Sequence, residues 1–546
     1  MKKSILILVS FAALVSCNKW LDGTTDSTNL TKTAIWETEE SANYYLNGFY
    51  TYIQKYGQFG EAQFGGSMIE SLTDELKYGS EALGNKAGHP NNYVTNVDAV
   101  TPDGCLWGIW GNAYNQIRRV NDFLDSRAKY SHFGAKTDSL FVAQAKFFRA
   151  FLHFQLAKRH PKGIIYYKEL PKSNDAALSS PEKFWQDIYD DLRYATKYLP
   201  EEWPSAQRGR ITKGGAWAML SRTMLYAERW QDAYDAADSV IKLERYGLMD
   251  DYRQAWKGNN KESIIEFAFN KNGVTHNFDQ DYVPFCFGYD YGALGTPTQE
   301  MVESYEKADG SQYDWSGYHD GSVKTRPDYE SLEPRFQATV YYNGCVWGED
   351  KEGNDKIMDC SVGGVNGEFM DYGSAPYSYG KTTTGYFLRK LIDENHTDLK
   401  GVKSTQTWVE MRYAEVLLNK AEAAYRLGKN DYQTTMNEVR ARVGLPQKNT
   451  TGEQWLKDYR HERKVELAFE GHQFWDLRRW KLAHKDYPEG LNNYRCHALK
   501  ITGTSFDYVP CDLKDRVFPE KLYNLGIPTA ELRDNNLINE QFEEWR

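Results

Sequence analysis

One stretch concentrates the groups that could do chemistry: "HERKVELAFEGHQFWDLRRW", His461 to Trp480. It sets Glu462, Glu466, Glu470 and Asp476 among basic residues and tryptophans. Hydrolysis of a glycosidic bond needs two carboxyl groups facing each other across a cleft. The spacing argues for another use. Glu462, Glu466 and Glu470 recur every fourth residue and form one stripe along a helix. Like charges so placed repel unless cations intervene. Arg463 and Lys464 lie within the stretch, and Arg412, Arg440 and Arg442 lie on expected neighbouring helices. Val465, Leu467, Ala468 and Phe469 supply an apolar face, and Gly471 suits a helix C-terminal cap. The stretch therefore reads as two short helices docked through an Arg–Glu network. Nothing else supplies a catalytic signature: GxSxG, HExxH and the phosphate-binding glycine loop are missing, and His461-Glu462 lacks a second ligand histidine. The expectation is a non-enzyme with no cofactor.

The elements that must carry this stretch are mostly helical. Apolar residues at helical spacing predict helices over Trp36 to Tyr56, Trp107 to Leu124 and Leu140 to Lys158. A fourth runs from Pro181, where a proline costs no hydrogen bond, to Leu199. "GGAWAMLSRTMLYAERWQDAYDAADSVIKL", Gly214 to Leu243, has tetratricopeptide character: Trp217, Leu220, Ser221 and Ala233 fall at that repeat's offsets. A similar pair recurs over Met411 to Arg442, turning at Gly428. Gly57 to Leu106 is rich in Gly, Asn and Asp and reads as a long loop region. From about Tyr246 to Gln406 the helical pattern stops, and "SIIEFAF" and "FQATVYY" read as short strands. The organisation expected is a signal segment 1–16, a linker 17–35, a helical part 36–245, an irregular ligand-binding part 246–406 and C-terminal helices 407–546.

The N-terminus begins "MKKSILILVSFAALVSCNKW": two lysines, then an apolar run too short to span a bilayer. Leu14-Val15-Ser16-Cys17 matches the bacterial lipobox, so cleavage before Cys17 and lipid attachment to its thiol are expected. Several acyl chains at about 0.8 kcal/mol per buried methylene would hold the protein on a membrane without spanning it. A net charge of −10 with no basic run leaves no footprint for nucleic acid. Six further cysteines show no CxxC and no His/Cys cluster, so no metal site is expected. Cys345/Cys360 and Cys496/Cys511 are each 15 apart. That suits two loop-closing disulfides, and free buried thiols equally well.

Several blocks resemble one family. "RYAEVLLNKAEAAYRLG", "MNEVRARVGLP" and "ERKVELAFEGHQFWDLRRWK" are similar, in that order, to the C-terminal signature of the SusD/RagB family. "LGIPTAEL" and "NNLINEQFEEW" resemble its ending, although the usual Pro-Gly is missing. "WGIWGNAYNQIRRVNDFLD", "AQAKFFRAFLHFQLAKRHP" and "GRITKGGAWAMLSRTMLYAERWQDA" look like its N-terminal half and central repeat. The resemblance implies a mostly α fold of tetratricopeptide-like helix pairs with a loop-rich insertion carrying short strands. It implies a non-enzymatic, lipid-anchored protein at the surface of the outer membrane. Such a protein binds glycans and partners a SusC-type TonB-dependent transporter.

Family signatures do not mark the ligand site, so the residues must. Aromatics make up 15% of the chain, with 39 Tyr and 16 Trp, more than core packing needs. Flat apolar rings with polar tips suit sugar faces, and amides suit hydroxyl pairs. The candidates are Tyr78, Asn91, Asn92 and Tyr93 in the first loop region, and Tyr289, Tyr291, Tyr313 and Trp315 in the insertion. Trp107 and Trp110, at a helix start, read as core. Two other readings stand beside glycan capture: a surface glycoside hydrolase, and a scaffold for peptides or the transporter without glycan binding.

Overall fold

In the computed structural model the described residues are 32–62, 67–78, 90–289, 292–365, 367–373 and 380–546; the expected lipid site Cys17 lies outside them. Helices of seven residues or more are numbered here in chain order. They are α1 (Glu39–Tyr56), α2 (Trp110–Tyr130), α3 (Ala135–Ala157), α4 (Pro181–Tyr198), α5 (Lys213–Tyr226) and α6 (Trp230–Lys242). After the irregular part come α7 (Tyr413–Arg426), α8 (Tyr432–Arg442), α9 (Gly452–Glu466) and α10 (Gln473–Arg479).

Local chemistry sets the ends. Thr38, Ser180 and Thr212 each accept a hydrogen bond from a backbone N–H three residues on, capping α1, α4 and α5. Pro181 opens α4 as expected. Gly428 takes φ +67° at the α7–α8 turn, a conformation that costs glycine nothing. The sequence places three helix starts wrongly: the first helix begins at Glu39, not Trp36. The second helix begins at Trp110, not Trp107, and runs on to Tyr130; the third begins at Ala135.

Helices α2 to α6 stack on one another in chain order, and α7 continues the stack against α6. Helix α3 lies in the middle and buries residues all round, among them Phe141, Phe147, Phe148, Phe151 and Phe154. The chain leaves this stack after α6 and returns at α7. Strands β2 (Ser263–Phe267) and β8 (Trp408–Arg412) pair antiparallel at that neck. Lys420 to Asp238 at 2.9 Å and Tyr234 to Asp431 at 2.8 Å fasten α6 to the returning pair.

The irregular part has its own core. Small two-stranded ribbons carry it: β1 (Leu76–Tyr78) with β3 (Gly295–Pro297), β4 (Val340–Tyr342) with β7 (Tyr386–Leu388), and β5 (Val346–Glu349) with β6 (Asp355–Ile357). "SIIEFAF" forms a strand, but only the end of "FQATVYY" does. Pro334 stands at the first position of a helical turn, Pro334–Thr339, and β4 follows it. The hairpin β9 (His497–Thr502) and β10 (Ser505–Pro510) packs Leu499, Ile501 and Phe506 into the same core.

All six described cysteines are free thiols. The repeated spacing of 15 has another origin: Cys345 and Cys360 flank the β5–β6 hairpin, and Cys496 and Cys511 flank β9–β10. The Cys511 thiol donates to the Cys496 carbonyl at 3.2 Å. No described helix is long and apolar enough to cross a membrane.

Candidate functional site

The charged stretch is a buried clamp. Arg440 holds Glu462 at 2.7 Å, and Arg335 reaches it as well. Glu466 pairs with Arg412 at 2.6 Å, with Arg335 at 3.2 Å and with Arg442. Glu470 pairs with Arg412 and Lys390, both at 2.7 Å. Asp476 pairs with Arg463 at 2.6 Å and Arg479 at 2.7 Å. Burial pushes the Glu466 carboxyl up, and Arg442, Arg412 and Arg335 more than reverse it, holding it far below the usual range. Glu462 and Glu470 are depressed in the same way, by burial opposed first by Arg335 and Arg412 respectively. A glycosidase acid needs a raised pKa and access to substrate; these carboxylates have neither. Burial and the neighbouring Arg463 keep His472 neutral. Gln58 meets its Nε2 at 2.8 Å.

Two cations of the clamp, Arg335 and Lys390, come from the irregular part. The network therefore does more than join helices. It pins the loop-rich part to the stack, in register with the β2–β8 neck. Within the described residues no group of His, Cys, Asp and Glu could hold a metal ion.

On that base the ribbons gather distant segments onto one face. Tyr78 pairs with Gly295, which sets the end of β1 beside the start of β3. The Phe285 N–H donates to the Gly380 carbonyl at 3.2 Å. The Phe287 ring lies 4.9 Å from Trp347 and 5.8 Å from Tyr341. Lys356 Nζ stands 4.9 Å from the Trp347 ring centroid. Val346 and Ile357 face each other across β5–β6. Phe285, Val346 and Ile357 are 46%, 42% and 45% exposed, high for apolar side chains in one neighbourhood.

The sequence-predicted residues divide among three environments. Tyr78 and Trp315 are corrected: they are 1% and 5% exposed, and their rings serve the protein interior. Tyr313 is half-buried 4.5 Å from Trp315, and its hydroxyl accepts the Asp328 N–H at 3.1 Å. Tyr289 is half-buried against the core of the irregular part. Tyr93 belongs elsewhere, edge-on to the buried Trp107 at 6.0 Å in a third core with Phe474 and Trp475. Asn91 and Asn92 lie in a short helix, Pro90–Thr95; their side chains, like Tyr291, lie outside the described residues. Trp107 and Trp110 are core, as expected. Phe285, Phe287 and Trp347 were missed. "FCFGYDYG" is aromatic-rich enough to have signalled the first two, but Trp347 needs the β5–β6 pairing to meet them.

This architecture and its signature helices have known counterparts. The model of the SusD family matches residues 261–545. A second model, described as starch-binding associating with outer membrane, matches residues 19–225. The chain belongs to the SusD family, whose members are non-catalytic binding proteins. It is 25% identical over 448 residues to SusD-like protein P2 of Formosa agariphila, covering 77% of this chain and 79% of that one. Among solved structures it is similar to a SusD-like protein from Bacteroides fragilis at 26% identity. The TM-score is 0.78, with 95% of this chain and 98% of that chain covered. A SusD-like carbohydrate binding protein from the same species shares the fold at 22% identity and TM-score 0.74, covering 92% and 99%.

Proposed function

We propose that the protein captures oligo- or polysaccharide at the cell surface and delivers it to a SusC-type TonB-dependent transporter, anchored in the outer membrane through Cys17. The observation that carries this reading is the half-open apolar face of Phe285, Phe287, Trp347 and Tyr289, held on a rigid clamp. Sugar rings present apolar C–H faces that pack on such side chains, while nearby polar groups fix the hydroxyls. The relative described as a carbohydrate binding protein shares the fold, and the second family model names starch binding and outer-membrane association. The irregular part 246–406 supplies the face, and the helical parts 36–245 and 407–546 hold it. Tyr313 and Tyr291 stay in this reading as further candidate ligand contacts.

A glycan array of the purified protein tests the reading, followed by calorimetry on the best ligand with wild type and Trp347→Ala. The expected result is a neutral or charged oligosaccharide whose binding weakens in the variant. No bound glycan on a broad array, or full affinity in a variant lacking Trp347, Phe285 and Tyr289 together, refutes it. For the anchor, Cys17→Ala is expected to move the protein from the membrane fraction to the soluble fraction. Retention would count against lipid attachment. Co-purification of a TonB-dependent barrel with the wild-type protein tests the partner.

A further inference from the structure

A cavity of about 550 Å³, lined by none of those loop residues, lies within the helical scaffold. It opens where the α5–α6 turn meets the end of α3, the start of α4 and α10. Trp185, Tyr226, Trp475 and Tyr523 contribute its rings. Its cations are mostly matched. Lys158 pairs with Glu61 at 2.8 Å, Arg229 with Asp232 at 2.7 Å, and Arg479 with Glu422 at 2.6 Å.

Arg478 is one of two exceptions. It is 4% exposed and pairs with no carboxylate among the described residues. Its Nη2 donates to the Tyr523 carbonyl at 3.2 Å and its Nη1 to the Leu522 carbonyl. Its Nε finds no acceptor among the described residues. Carbonyls satisfy donors but do not neutralise a charge, and a buried unpaired cation is costly. Burial, with Arg159 adding to it, pulls the guanidinium down to about 9. Lys481, exposed at the rim, also forms no ion pair among the described residues, and its Nζ lies 4.5 Å from the Tyr523 ring. The rim carboxylates Glu182 and Glu228 are both exposed, and neither pairs with Arg478. Two unmatched cations beside aromatic walls form a receptor for a negatively charged, ring-shaped ligand.

We propose that this cavity binds a sugar bearing an oxyanion, a carboxylate or a sulfate ester. Arg478 and Lys481 take the anion, and the half-buried rings of Tyr226 and Tyr523 take the sugar face. The site rests on the glycan reading above and adds to it a chemical class and a second location.

The test uses the intact protein, tryptophan fluorescence and calorimetry with four probes: methyl glucuronide, methyl glucoside 6-sulfate, methyl glucoside and sodium sulfate. At least one charged sugar is expected to bind, more weakly as salt rises, while the neutral glucoside does not. The charged sugar that binds identifies the source of the anion. Arg478→Gln is expected to lose about tenfold or more in affinity, and Lys481→Ala about threefold. Lys481 is on the surface, so its variant decides the matter if Arg478→Gln melts early. The idea is overturned if neither charged sugar binds, if the neutral sugar binds as well, or if both variants bind like wild type. Binding of sodium sulfate alone also overturns it, as an adventitious ion only. Failure here with glycan capture at Trp347 intact removes this cavity and leaves the loop face standing. Loss of both removes the glycan reading itself.

Discussion

The clamp and the loop face use costly side chains in opposite ways. In the clamp, charges are buried and saturated: Arg412 alone contacts Glu262, Glu466 and Glu470. On the loop face, apolar side chains are left partly in water, as Phe285, Val346 and Ile357 are. A buried charge network is a poor source of net stability compared with apolar packing, but it tolerates no missing member. Exposed apolar surface gives up burial energy that a ligand can supply. One region therefore fixes geometry and the other keeps free energy in reserve for binding. Substitutions should affect the first through folding and the second through affinity.

The largest effect is expected in the clamp. Arg412→Ala removes the one cation shared by Glu262, Glu466 and Glu470, leaves Arg442, Arg335 and Lys390 to hold them in a dry interior, and should cost about 3–5 kcal/mol. Chemical denaturation measures it, and a loss below about 1 kcal/mol would show that water reaches the network. Replacing Trp315 with Ala comes next, at about 3–5 kcal/mol for a buried ring, whereas Tyr289→Ala should stay within about 1 kcal/mol of wild type. Equal losses at the two positions would erase the distinction drawn here between core and surface aromatics.

Acid sharpens the contrast further. Burial raises the Glu422 carboxyl, but Arg479 overrides it and holds it near about 2; Asp191, buried against Arg149 and Lys146, also stands near about 2. Unfolded carboxyls titrate near about 4. A depressed folded pKa contributes stability above the unfolded pKa and loses it as pH falls through the folded one. Unfolding should therefore steepen between about pH 4 and 2. Glu70 works in the other direction: burial raises it to about 7, so its share of stability is lost as pH rises from about 4 to 7. Denaturation midpoints from pH 2 to 8 should show a steep acid limb and a shallow decline above it. A flat acid limb would mean that Glu422 and Asp191 are not depressed.

Much of the scaffold was legible because its signals are local. Caps, periodicity and Pro181 act within one turn, so the helices and the paired stretch around Glu466 follow from neighbours in sequence. Arg440 and Arg442 were readable as clamp partners because their helix α8 was; Arg412, expected on a helix, instead ends β8 just before α7. Arg335 and Lys390 were not, since they come from segments without a period to orient them. The same lack of period explains the misplaced rings. A tyrosine in a loop gives no sign of which way it faces, and Tyr78 and Trp315 turn inward. The half-buried Trp347 meets Phe287 only through a hairpin pairing that residue types alone do not specify.

The smallest effect is expected at the edge of the face. Trp347→Ala should weaken the array-selected glycan by about 1.5 kcal/mol, roughly tenfold, with little change in melting. Phe285→Ala should lose less, about threefold, because its ring is more exposed and touches less of the protein. Calorimetry on the two single variants and the double variant separates the contributions. If the losses add, the rings contact the sugar independently. If Phe285→Ala costs nothing once Trp347 is gone, Phe285 acts by steadying the Phe287–Trp347 stack. A Phe285→Ala loss larger than that of Trp347→Ala would move the centre of the face to the Pro284–Gly288 turn, nearer Tyr289.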